Sequence, residues 1–174
     1  MTESRSSVSG VYYDRDSADR AYKAIRDRGY DDKDVNVLMS DDTRKRHYGD
    51  NPADDTAGSK ALEGAGTGAA IGGTVGGILG AIAAVGTSIL IPGLGIALAG
   101  PIAGALAGAG AGGATGSLLG ALVGAGIPEE HAKSYEKHVN DGGIVVGVNS
   151  RHDDDATYFE DSFRTGGGKE VYRY

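Results

Sequence analysis

Residues 64–128 read GAGTGAAIGGTVGGILGAIAAVGTSILIPGLGIALAGPIAGALAGAGAGGATGSLLGALVGAGIP, 65 consecutive positions without an Asp, Glu, Lys or Arg. Two glycine series run through it in steps of four: Gly64, Gly68, Gly72, Gly76 and Gly80, then Gly100, Gly104, Gly108, Gly112, Gly116, Gly120 and Gly124. Four residues turn about 400° on an α-helix, so such a series makes a slowly winding groove in which a second backbone approaches closely. Between the series, Ile91-Pro92-Gly93-Leu94-Gly95 predicts a reversal set by Pro92, Gly93 and Gly95. The stretch is expected to be a glycine-zipper helical hairpin, with those twelve glycines as helix-packing positions.

Each glycine costs a hydrated helix roughly 1 kcal/mol relative to alanine. Residues 64–126 hold 21 of them, an aggregate on the order of 20 kcal/mol that an isolated hairpin does not recover. Close packing, a bilayer, or both must supply the difference. As continuous helices, residues 64–91 and 96–126 would run about 42 and 46 Å against a hydrocarbon core of about 30 Å. Insertion of the hairpin into lipid is therefore the leading expectation, with the protein on the cytoplasmic side of a membrane. The loop itself argues for the alternative, because Ser88–Ile96 holds one serine and no charge or aromatic anchor. In that alternative many hairpins gather in a protein-only core of a soluble cytoplasmic assembly. A hairpin folded against its own body is the third arrangement, and 109 flanking residues are too few to cover two apolar rods.

All charge lies in the flanks, and the balance of 17 bases against 24 acids argues against nucleic acid as a partner. The opening MTESRSSVSG has no apolar core of the sort a secretory signal carries, so cytoplasmic residence is expected. Val8–Tyr13 predicts a strand; Ala18, Ala21, Tyr22 and Ile25 recur at helical spacing before Gly29; Val35–Met39 predicts a second strand. After the hairpin, Pro128–Asn140 predicts a helix with Ala132, Tyr135 and Val139 inward. Ile144–Val148 predicts a strand, Asp154–Phe163 a helix burying Ala156, Phe159 and Phe163, and Glu170–Tyr174 a last strand. The fold expected is α/β (α+β): a small ferredoxin-like or related open sheet interrupted by the hairpin. Its parts are residues 1–40 as the first half of the body, 41–63 as a linker, 64–128 as the hairpin and 129–174 as the second half. Within the linker, Arg44, Lys45 and Arg46 form the one concentrated basic patch, a candidate contact for lipid headgroups or a second subunit.

Val8-Ser9-Gly10-Val11-Tyr12-Tyr13 followed by Ala18, Ala21, Ile25 and Gly29, the glycine-rich middle, Tyr135-Glu136 and Gly142-Gly143-Ile144-Val145-Val146 together resemble bacterial general stress and low-temperature-induced proteins of the YflT-like class. The resemblance spans essentially the whole chain. It implies a soluble α/β body produced under stress or cold, with no reaction assigned to any residue.

Chemistry-bearing patterns are sparse. The chain has no cysteine, so thiolate metal sites, disulfides and cysteine nucleophiles are excluded. His47, His131, His138 and His152 have no close metal spacing, and His131 and His138, seven apart, are about 10 Å apart along a helix. Asp14, Asp16 and Asp19 lack the glycine and glutamate of a calcium loop and suit helix initiation, and Gly166-Gly167-Gly168-Lys169 lacks the Ser/Thr of a phosphate loop. No catalytic, cofactor or metal residue is expected. The functional expectation is a non-enzymatic, stress-associated structural protein that self-assembles through its hairpin and associates with membrane. The alternative is a soluble oligomeric binding or regulatory module, and an enzyme is a remote third.

Overall fold

The computed structural model describes residues 6–48, 78, 89–91, 95–108, 118–124 and 126–174. The expectations for Gly64, Gly68, Gly72, Gly76, Gly80, Pro92, Gly93, Gly112, Gly116 and linker residues 49–63 lie outside the described residues. In chain order the elements are β1 (Ser7–Tyr12), α1 (Arg15–Asp27), a short 3-10 turn (Asp32–Asp34), β2 (Val35–Ser40), α2 (Asp41–Tyr48), β3 (Ile89–Ile91), β4 (Ile96–Ala99), α3 (Pro101–Gly108), α4 (Leu118–Gly124), α5 (Glu129–Asn140), β5 (Ile144–Asn149), α6 (Asp153–Thr165) and β6 (Lys169–Arg173).

Among the described residues the strands form one open sheet in the order β3-β4-β2-β5-β1-β6, antiparallel at every neighbouring pair. The register interleaves the two flanks: Ser7 faces Asn149 and Tyr12 faces Ile144, while Val37 faces Val146 on the other side of β5. Because side chains alternate across a strand, each face collects its own core. One face buries Val8, Tyr12, Met39, Ile144 and Val146 under Ile25 of α1 and Phe159 and Phe163 of α6. The other buries Val11, Leu38, Leu98 and Val145 under Leu122 of α4 and Tyr135 and Val139 of α5. Fully burying an aromatic or large aliphatic side chain is worth about 1.5–3 kcal/mol. On the first face, edge-to-face contacts of Tyr30 with Phe159 at 5.1 Å and Tyr12 with Phe163 at 6.3 Å fix the packing further.

Local sequence explains the flank helices. Asp14, in extended backbone, accepts the Ser17 N–H at 2.7 Å and caps α1, which ends at Gly29 with φ +84. Pro128 opens α5, with Glu129 and Glu130 in its first turn. Ala156, Phe159 and Phe163 are fully buried along α6, the inward set that the spacing predicts.

Three expectations are corrected. Residues 41–48, expected to be surface linker, are helical: Ser40 Oγ accepts the Thr43 N–H at 3.1 Å as a cap, and Thr43, Arg44 and Tyr48 are buried. The centre of the expected helical hairpin is a β-hairpin. Ile89–Ile91 and Ile96–Ala99 pair through Ile91 opposite Ile96, and β4 extends the sheet along β2, where Val37 faces Ala99 and Ser40 faces Ile96. Short apolar runs rich in β-branched residues satisfy either a buried helix or a strand covered on both faces. Here an available edge of β2 decides between them.

The same finding overturns the membrane-associated expectation. Ile96–Ala99, expected beside the tip of a lipid-inserted hairpin, is buried in the sheet. α3 and α4 are 8 and 7 residues long, whereas a span needs about 20. Among the described residues no helix is long and apolar enough to cross a membrane.

Candidate functional site

Polar and small side chains gather at one end of the α5-covered face. Ser7 and Ser9 of β1, Asn36 of β2, and Gly147 and Asn149 of β5 meet there because the register sets Ser7 opposite Asn149, and Ser9 and Asn36 on either side of Gly147. Ile102 of α3, Ile127, Tyr135 of α5 and Tyr174 close over them, leaving a cavity of about 20 Å³. A β-carbon on Gly147 would lie 3.2 Å from the Ser9 Cβ and 3.8 Å from the Asn36 Cβ, so the glycine keeps this floor open.

The hydrogen bonds of the floor are incomplete in an informative way. Asn149 Oδ1 accepts from Ser7 Oγ at 3.0 Å and, at a long 3.5 Å, from Asn36 Nδ2. Asn36 Oδ1 accepts the Ile102 N–H at 3.0 Å. The N-cap position of α3 is Gly100, which has no side chain, so Asn36 caps the helix from a neighbouring strand. Ser9 Oγ and the Tyr135 hydroxyl are hydrogen-bonded to each other. Burial pushes the Tyr135 phenol above its ordinary pKa, as it does Tyr174. No charged side chain lines the cavity.

A cluster of titratable side chains adjoins it between α5 and β6. The Tyr13 hydroxyl lies 2.5 Å from His138 Nδ1, and His138 Nε2 lies 3.8 Å from the Glu170 carboxylate. Glu170 also accepts from Tyr172 and from Ser134 Oγ, the latter at 2.8 Å. The Tyr172 and Ser134 hydroxyls hold the Glu170 carboxyl below its usual range, while burial and then that carboxylate raise the Tyr172 phenol. Glu170 has φ +50, the one positive value outside glycine among the described residues, and the β1–β6 register shifts between Ser9 and Val11 beside it. The His131 ring lies tilted against Tyr172 at 4.1 Å and stacks on Tyr174 at 5.6 Å. His131 and His138, read from spacing as surface or packing residues, thus belong to one aromatic and carboxylate cluster. Among the described residues no group of three or more His, Asp or Glu is arranged to hold a metal ion.

Ser7, Ser9, Asn36 and Asn149 were not candidates from sequence. The signal is present but distributed: each strand carries its polar residue toward one end, on the same side as a later Val11, Leu38 or an earlier Val145. It becomes visible only once the pairing register is known.

The sequence-derived candidates fall elsewhere. Arg44 Nε and a terminal guanidinium nitrogen reach Asp41 Oδ1 at 3.0 and 2.8 Å, and Lys45 Nζ reaches Asp41 Oδ2 at 2.9 Å. Arg46 is exposed, beside Gly142. The basic patch is thus folded largely onto its own helix. Gly95, with φ +60, lies in the β3–β4 turn. Gly100 has φ +95, and a β-carbon there would lie 1.9 Å from the Val35 carbonyl oxygen, so it marks a strand-to-helix junction pressed on β2. Gly104 and Gly108 lie on α3 and Gly120 and Gly124 on α4; Gly104, Gly120 and Gly124 are exposed.

No family model, curated protein or solved structure matches the chain.

Proposed function

We propose that the chain is a non-enzymatic binding or regulatory module that self-associates through its glycine-patterned helices, its partner being further copies of itself. One observation carries this. α3 and α4 pack against each other and contain no charged residue, and among the described residues part of their surface is uncovered. Gly104 and Gly124 are exposed with no described residue within 4 Å of where a β-carbon would lie, and Val123 is 42% exposed. Uncharged, side-chain-poor helix surface of this kind gains most from close contact with another helix, because backbone-to-backbone approach restores the dispersion contacts that glycine lacks. Recognition of anything else falls to the α/β body, where the neutral cavity and its tyrosine rim lie.

We read the flank sheet as ferredoxin-like. The four flank strands run β2-β5-β1-β6 with α1 and α6 on one face, as a strand–helix–strand unit repeated twice would in a ferredoxin-like sheet, and β3 and β4 widen it at β2. We place the module in the stress context that the resemblance implies. No cofactor and no nucleic acid enter the proposal.

Size-exclusion chromatography with light scattering tests it. The full chain should elute as a defined multimer, and Val123→Glu or Gly104→Leu should shift the mass toward 17.6 kDa. A wild-type chain of monomer mass, or multimers indifferent to both changes, would overturn it.

A further inference from the structure

The cavity floor has unspent hydrogen-bonding capacity. Asn36 Nδ2 carries two hydrogens and makes one long contact. Ser7 Oγ donates its hydrogen to Asn149 and retains lone pairs, while Ser9 Oγ and the Tyr135 hydroxyl bond to each other and to the Tyr174 hydroxyl, so the open positions are those of Asn36 and Ser7. Buried polar groups are almost always satisfied by protein or ordered water. A cavity of about 20 Å³ matches the space needed to seat one water, given two to four polar partners around it.

We propose that this cavity is a binding site for a single structural water, held by Asn36 and Ser7, which joins the sheet to the start of α3. The absence of charge in the lining selects an uncharged ligand, and both donors and acceptors are on offer, as water requires. Ile102, Ile127 and Leu38 exclude anything larger while the helix is docked. Asn36 is the joint: its Oδ1 caps α3 through Ile102, and its Nδ2 faces the floor, so a water on Nδ2 fixes the amide in the orientation that capping needs. Gly147 is the specificity determinant, since a methyl group there would take the space. The site stands independently of self-association, although α3 is one of the helices on which self-association is proposed.

Water-selective NOE spectroscopy on the full chain is the test. Long-lived water cross-peaks to Ser7 and to the Asn36 side-chain amide are expected. Gly147→Ala should abolish them and speed amide exchange at Ile102 by about tenfold, the loss of roughly one hydrogen bond's net contribution, while exchange in α1 and α6 stays unchanged. Ser7→Ala, a milder change, should shorten the water's residence without unfolding the floor. Absence of long-lived water in the wild type, or cross-peaks that persist in Gly147→Ala, would overturn the site. Light scattering on the same samples keeps the two ideas separate: water present in a monomeric chain removes the self-association proposal and leaves this one standing.

Discussion

The flanks and the glycine-rich middle obey the same physics but expose it differently. In the flanks, apolar residues recur with gaps, as at the third and fourth positions along α6 where Ala156, Phe159 and Phe163 fall, and the gaps reveal the period. In the middle almost every residue is apolar or glycine, so no gaps remain, and a buried strand and a helix leave the same trace. Ile96–Ala99 was expected to lie in a long helix and is instead a strand with Ala97 and Ala99 in one core and Ile96 and Leu98 in the other. Regular glycine spacing is thus compatible with unrelated roles: Gly100 and Gly104, neighbours in one series, serve respectively a tight junction and an open helix surface.

Substitution at those two glycines sharpens the contrast. The largest effect belongs to Gly100→Ala, where both the left-handed backbone and the Val35 carbonyl oppose a β-carbon. A loss of about 3 kcal/mol or more is expected in denaturant unfolding, and a neutral outcome would mean that β4 does not meet α3 as described. In the flanks, Asp14→Ala removes the α1 cap and should cost about 1 kcal/mol. The Ser17 N–H holds the Asp14 carboxyl below its ordinary pKa. Its contribution is therefore complete above the unfolded carboxylate value of about 3.9 and fades as pH falls through the lower folded value. The wild type and the variant should accordingly converge in stability in acid, and a gap independent of pH would count against the cap. The smallest effect is a gain: Gly104→Ala should stabilise dilute protein by about 0.5–1 kcal/mol, as alanine replaces an exposed helical glycine. Destabilisation instead would place Gly104 in a contact too close for a methyl group.

Legibility followed the information each residue carries locally. Phe159 and Phe163, Tyr135 and Val139, and the strand Ile144–Asn149 were readable because amphipathic spacing and nearby capping residues agree. The helix Asp41–Tyr48 was missed although Ser40 and Thr43 already form its cap, because charged residues at six of its eight positions, counting His47, mask any apolar stripe. The cavity was illegible for a different reason. Ser9 faces Gly147 and Asn36 only through strands separated by more than a hundred residues, and no local pattern encodes that pairing.

The sheet order has a consequence for how the chain is made. β1 hydrogen-bonds on both sides only to strands from the far end, β5 and β6, and β2 also leans on β5. During synthesis the first strand therefore emerges with no partner and waits for nearly the whole chain to follow, a long-range closure that slows folding. The converse is robustness to cutting: a backbone broken between Tyr48 and Ile78 would leave two fragments, each owning strands that only the other completes, and the pieces would be held together by the shared sheet, the core beneath α1 and α6, and ion pairs such as Arg28–Asp155.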